Sequence, residues 1–239
     1  MSRERELEQR IRRLEEINDQ NERLLGAISH ELRNPLAAIR SAAEVLRLTL
    51  GAEPRVQKTY AILERQTSMM VKLLDRLSDI SKIARGKITL DLARIDLGQL
   101  LTRTLADKTA QIEAAQLTLE SSVPLDELWV KGDSVRLGQI FDQLLSNAIR
   151  FSTPRNSIQV TAQKKEHDAV VIFEDAGAGI EATLLPHLFD VFEPSASGKP
   201  RLGLALVRGL IELHGGTVVA RSNGPGRGAQ FELRVPLAQ

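Results

Sequence analysis

The chain has 239 residues, 42% hydrophobic, 26% charged and only 3% aromatic, with a formal net charge of +1 and no cysteine. That length buries one large core or two modest ones. The near-zero charge and scarce rings argue against a nucleic-acid surface, and the lack of cysteine excludes disulfides, thiolate catalysis and Cys-built zinc sites.

Residues 5 to 49 predict one long helix. Leu7, Ile11, Leu14, Asn18, Asn21, Leu25, Ile28 and Leu32 step by alternating four and three, and Ile39, Ala42 and Leu46 continue the frame. This is a heptad seam with two polar interruptions, and such a helix calls for a partner helix. Asn18 and Asn21 either fix the register of a dimer or mark a frayed stretch; the pattern leaves both open. Gly51 to Pro54 breaks the helix, and a second helix is expected to Arg85, with Leu63, Met70, Leu73, Leu74, Leu77 and Ile80 as its apolar stripe. Two such helices make an antiparallel hairpin, and two hairpins a four-helix bundle.

After Gly86 the periodicity changes. Strands are expected at Ile88–Leu90, Leu117–Leu119, Leu128–Val130, Ile158–Val160, Val170–Phe173, Thr217–Ala220 and Phe231–Val235. Asp96 precedes Leu97, Leu100, Leu101 and Leu105 as a helix cap, and further helices fit Ser134–Arg150 and Leu202–His214. The fold class expected is therefore α+β, a long antiparallel helical hairpin followed by a sandwich of helices on a sheet. The four histidines lack metal-ligand spacing. No apolar run reaches the roughly 18 residues that span a bilayer, and the charged start is not a secretory signal, so a cytoplasmic location is expected.

One segment concentrates chemistry: Ser29-His30-Glu31-Leu32-Arg33-Asn34-Pro35-Leu36. In the heptad frame His30 falls at an outer position, facing solvent. A neutral imidazole is a competent nucleophile near pH 7. Glu31 is adjacent and can orient the ring or take its proton, Asn34 shares the face one turn on, and Pro35 removes a helical hydrogen bond just beyond. The string resembles the phosphoacceptor box of the histidine kinases. That resemblance implies that His30 attacks the γ-phosphate of ATP, that Glu31 assists, and that Asn34 positions water when the phosphoryl group is removed from a partner.

A second group of motifs follows in order: Asn147 and Arg150 near the end of one helix, then Asp175-x-Gly177-x-Gly179 after a strand, Leu188-Phe189-x-x-Phe192, Leu202-Gly203-Leu204-Ala205, and His214-Gly215-Gly216. An amide oxygen suits Mg²⁺, an arginine suits phosphate, paired glycines admit a ligand to the backbone, and a carboxylate accepts from an exocyclic amine. The order resembles the ATP-binding domain shared by histidine kinases, gyrase and mismatch-repair ATPases. It implies that Asp175 reads the adenine amino group beside Gly177 and Gly179, that Asn147 holds Mg²⁺ and Arg150 a phosphate, and that Gly203 and Leu204 meet the phosphates at a helix start. Gln143 takes a place where that family usually has asparagine, and the resemblance implies that its longer amide serves the nucleotide site with altered geometry. The stretch between Phe192 and Leu202 is short, and Arg201 occupies the place of a glycine, where its side chain either obstructs or binds phosphates.

The resemblance thus implies three segments: a coiled-coil signalling linker at 1–20, a dimerisation and phosphotransfer hairpin at 21–86, and an ATP-binding domain at 87–239. The expected function is autophosphorylation of His30 and transfer to an aspartate of a response-regulator receiver domain, in a homodimer driven by an upstream sensor domain or protein. The alternative is a dimeric phosphotransfer or scaffold protein with a degenerate ATP domain that regulates a partner kinase. A non-kinase ATPase of the same fold would leave the His30 segment unexplained.

Overall fold

Pro54 sets where the second helix of the hairpin begins, its fixed φ suiting the first helical position. The computed structural model describes residues 32–50, 53–124, 128–190 and 202–238, which divide between two units, Met1–Ile88 and Thr89–Gln239. The earlier heptads, including Asn18, Asn21, His30 and Glu31, lie outside the described residues, as does the stretch from Val191 to Arg201.

In the first unit, helix α1 covers residues 32–50, passing through Pro35, and α2 covers Pro54–Ala84. Their antiparallel course shows in two cross-helix contacts. Arg33, early in α1, pairs with Asp75, late in α2, at 2.6 Å; Arg47, late in α1, lies over the ring of Tyr60, early in α2, at 5.5 Å. Leu36 and Ala43 are buried on α1, and Thr67 and Leu74 on α2. Both pairs are seven apart and so share a face. The seam residues Leu32, Ile39 and Leu46 are instead 42%, 46% and 49% exposed on the single chain. The apolar stripe expected on α2 divides likewise: Leu74 is buried, whereas Met70 and Leu73 are exposed. One stripe therefore serves two faces. Gly86 ends α2 at φ +60°, its N–H donating to Ile83 and that of Lys87 to Lys82, both at 2.9 Å, a left-handed stop that glycine adopts without steric cost.

The second unit opens with a correction. Ile88–Leu90 is not a strand; the first strand is β1, Ala93–Asp96. Ladder partners decide this, because β1 pairs antiparallel with β3, Trp129–Gly132, with Ile95 opposite Val130. Asp96 accepts from the N–H groups of Gly98 and Gln99 and so caps α3, Leu97–Ala114. Then come β2, Thr118–Ser122; α4, Ser134–Phe151; β4, Ser157–Lys165; β5, Asp168–Asp175; a 3₁₀ turn at Leu185–His187; α5, Leu202–Leu213; β6, Thr217–Arg221; and β7, Ala229–Pro236.

The main sheet runs in the order β2-β4-β5-β7-β6. Only the β2–β4 pair is parallel. Alternation in β4 turns Ile158, Val160 and Ala162 inward, and β7 does the same with Phe231, Leu233 and Val235. The three helices cover that face with Leu101, Leu105, Phe141, Leu144, Leu206 and Leu210, all buried. The rings of Phe141 and Phe173 meet at 6.0 Å, tilted by 42°, a favourable aromatic arrangement. The unit is thus a layer of helices on a mixed sheet, the α/β sandwich expected. Among the described residues no helix is long and apolar enough to cross a membrane.

Candidate functional site

The site is organised by α4. Its amino end is fixed by Asp133, whose Oδ1 accepts from the N–H of Val135 at 3.0 Å and of Arg136 at 3.1 Å. Its Oδ2 accepts from the N–H of Asp91 at 3.1 Å. Burial pushes the Asp133 carboxyl up, but the three backbone donors outweigh it and hold the group below the usual carboxylate range. The N–H of Asp133 itself donates to Nε2 of buried His214 at 3.0 Å, while Nδ1 of His214 donates to the Leu210 carbonyl at 2.8 Å. The sequence placed His214 only at the end of an expected helix, before two glycines. Both ring nitrogens are in fact committed, tying α5 to the start of α4.

Along α4, Gln143 is buried, Asn147 half-buried and Arg150 exposed. Gln143 Nε2 donates to Asn147 Oδ1 at 3.1 Å. The first turn of α5 lies against this amide, since a Cβ on Gly203 would overlap Gln143 Nε2, Cδ and Oε1. Gln143, Asn147 and Gly203 therefore form one cluster. Leu204 follows, half-buried. The Arg150 guanidinium stacks on the ring of Phe151 at 5.2 Å. A further ion pair braces α4 from α3: Lys108 Nζ meets Asp142 Oδ1 at 2.6 Å and Ser146 Oγ at 3.2 Å.

The other wall is the loop after β5. Asp175 ends the strand, 7% exposed, and its Oδ1 accepts from the N–H of Gly177 at 2.9 Å. Burial pushes its carboxyl above the ordinary range; the N–H groups of Gly177 and Ala229 oppose this without cancelling it. A Cβ on Gly177 would strike the Phe151 carbonyl and Asp175 Oδ1, so glycine is needed for close approach. The N–H of Ala178 donates to the Phe151 carbonyl at 3.0 Å, joining the loop to the end of α4.

The sequence reading did not identify what shapes this loop from behind. Gly179 sits at φ +67°, and a Cβ there would fall on the Gly224 carbonyl. Gly226 donates to the Ala178 carbonyl at 2.7 Å, and Gly228 to that of Gly177 at 3.2 Å. Ser222 Oγ donates to the Gly228 carbonyl at 2.6 Å and accepts from the N–H of Ile180 at 3.0 Å. The alternating glycines 224, 226 and 228 between two strands are the signal that would have marked this brace.

Beyond the loop, Phe189 is buried. Asp190 contacts His187 Nδ1 at 3.2 Å and Arg208 at 3.1 Å; these partners, His187 first, hold its carboxyl low. Phe192 and Arg201 lie outside the described residues. On the hairpin, Asn34 is exposed on α1.

A helical layer on a mixed sheet, with a buried aspartate beside glycines at a strand end, and a helical hairpin define an α/β unit with a candidate ligand loop and a helical module. Comparisons with known proteins name both. The family described as "Histidine kinase-, DNA gyrase B-, and HSP90-like ATPase" matches residues 132–239, and "His Kinase A (phospho-acceptor) domain" matches residues 20–86. The two matched domains are those of a sensor histidine kinase catalytic core. Among curated relatives, the sensor protein DivL of Caulobacter vibrioides is 32% identical over 217 residues, covering 90% of this chain and 28% of that protein. The signal transduction histidine-protein kinase BaeS of Escherichia coli is 31% identical, covering 93% of this chain and 48% of that protein. The chain thus spans less than half the length of either relative. Two solved structures share the fold. Full-length ShkA in complex with AMPPNP aligns with a TM-score of 0.75 at 23% identity, covering 90% of this chain and 46% of that one. The Acinetobacter baumannii histidine kinase AdeS aligns at 0.60 and 22%, covering 88% and 98%.

Proposed function

We propose that this chain autophosphorylates His30 from ATP and passes the phosphoryl group to an aspartate of a response-regulator receiver domain. In this reading residues 1–20 are a signalling linker, 21–86 the dimerisation and phosphotransfer hairpin, and 87–239 the ATP-binding domain. The observation that carries it is Asp175. A carboxylate buried at a strand end against its own solvation, held by backbone N–H groups beside glycines that admit a ligand, is the mark of a recognition site. Its free acceptor capacity suits the adenine amino group. The complex of ShkA with AMPPNP, an ATP analogue, supports the same ligand.

The phosphates would lie towards α4 and the start of α5, near Gly203 and Leu204, where a helix amino end favours anions, with exposed Arg150 as a cation. Asn147 fits Mg²⁺: its amide oxygen is a hard donor, and Gln143 occupies one of its two lone pairs. A bound Mg²⁺ would offset phosphate charge. The neutral His30 imidazole attacks the γ-phosphorus as the bond from that phosphorus to the ADP oxygen breaks, and the ring N–H proton passes to Glu31. The catalytic effect is mostly positioning and charge neutralisation. Asn34, exposed one turn from His30, would place a water in the reverse task of dephosphorylating the partner.

The exposed seam of Leu32, Ile39 and Leu46 supports a homodimer through the hairpin, with input from an upstream sensor domain or protein. The test is incubation of the purified chain with γ-labelled ATP and Mg²⁺. Label should appear on the protein and be absent from His30→Gln; retention of label by that variant refutes the reading. The alternative, a dimeric phosphotransfer or scaffold protein with a degenerate ATP domain, rests on the short stretch between Phe192 and Leu202 and on Arg201 in the place of a glycine. Lack of ATP binding at millimolar concentration would favour it.

A further inference from the structure

We propose that Gln143 is a positioning residue: it aims the Asn147 amide oxygen and touches neither nucleotide nor cation itself. The inference rests on the reading that Asn147 holds the cation, and adds how this chain prepares that ligand.

Access along α4 favours this division of labour. Gln143 is 7% exposed, while Asn147, one turn later, is half-buried. Gly203 roofs Gln143, because even a methyl group there would overlap three atoms of its amide. With the start of α5 lying on it, the amide is covered on the side where Gly203 sits. Its direction is also fixed: Nε2 donates to Asn147 Oδ1 at 3.1 Å, the i to i+4 hydrogen bond that glutamine and asparagine make along a helix. A trigonal amide oxygen so engaged keeps its second lone pair turned away from Gln143. Asn147 therefore stands preset rather than free to rotate about its terminal bond. Partners of this kind orient metal ligands and commonly set affinity. The methylene that glutamine adds over asparagine carries its amide across the helical turn to Asn147. Gly203 and Gln143 thus form one unit, the glycine leaving room for the longer side chain.

The experiment measures ATP affinity of the full chain by calorimetry, with Mg²⁺ and with EDTA, and takes the ratio as the gain from the cation. Gln143→Met keeps length and volume but removes the donor. It should reduce the Mg²⁺ gain by about tenfold, leave affinity in EDTA unchanged, and have no further effect when added to Asn147→Ala. An equal loss of affinity in EDTA, or additivity with Asn147→Ala, would overturn the proposal by showing direct contact or general packing damage. If Asn147→Ala keeps the gain intact, the assignment of Asn147 itself falls, and the role of Gln143 with it.

Discussion

Gly179 and Gly226 offer an internally controlled test of how the loop after β5 is held. Both lie in the left-handed region, at φ +67° and +73°. They differ in surroundings: a Cβ on Gly226 meets nothing within 4 Å, whereas one on Gly179 falls on the Gly224 carbonyl. Gly226→Ala should therefore cost only the left-handed backbone penalty, about 1 kcal/mol. Gly179→Ala incurs the same penalty and must also push residues 222–228 away. That movement breaks the bonds from Gly226 to Ala178 and from Gly228 to Gly177, worth about 1 kcal/mol each. The expected total is about 3 kcal/mol. For a unit of this size each kcal/mol shifts the midpoint by about 2–4 °C. The drops should thus be about 3 °C for Gly226→Ala and about 9 °C for Gly179→Ala. Trp129 is the sole tryptophan and lies on β3, stacked under Arg94 at 4.8 Å, so its fluorescence reports this unit alone. Gly179→Ala should also weaken ATP binding, while Gly226→Ala should weaken it little. Equal midpoints for the two variants would refute the claim that the 222–228 segment braces the loop.

Asp175→Asn should separate stability from binding. The folded-state pKa of Asp175 is raised, so its ionised form opposes folding at pH values above the unfolded pKa, and protonation relieves this as pH falls. At pH 7 the asparagine variant should unfold at an equal or higher temperature than the parent chain, yet lose ATP affinity in a calorimetric titration. In the parent chain, ATP affinity should decline on acidification with a midpoint above the ordinary carboxylate value of about 3.9. His214→Ala strands the buried N–H of Asp133 and removes a donor from the Leu210 carbonyl. A loss of about 3 kcal/mol is expected by chemical unfolding, with no change in the hairpin's own helicity.

Much of the fold is legible locally. The apolar period of α4 is strong, and its observed bounds differ from the expected ones by a single residue at the carboxyl end. The Asp96 cap and the Gly86 stop act through near neighbours in sequence, so their residue types announce them. Where the outcome depends on a distant partner, the pattern misleads. Ile88–Leu90 has strand-forming residues but no ladder, whereas Ala93–Asp96 has weak propensity and gains β3. The stripe on α2 reads as one face because periodicity does not say how many neighbours a helix has. At the site, the spacing of Gln143 and Asn147 along α4 can be read from the chain. The seat of Gly203 on Gln143 cannot, because α5 is brought there by tertiary packing. The alternating glycines mark the brace as a tight turn, but spacing does not say what it holds, since its partners, the Gly177 and Ala178 carbonyls and the Ile180 N–H, lie some forty to fifty residues away.

The strand order carries a consequence for how this unit forms. β7 is the last strand along the chain, yet it lies inside the sheet, hydrogen-bonded to β5 on one side and β6 on the other. During synthesis, β5 and β6 must therefore wait with open edges until residues 229–236 leave the ribosome, and open edges invite association with other chains. A nascent chain halted before β7 has the residues of its candidate nucleotide loop but not the completed sheet behind them. Completion of the fold is thus deferred until the final strand arrives, which couples the readiness of the nucleotide loop to the end of translation of this unit.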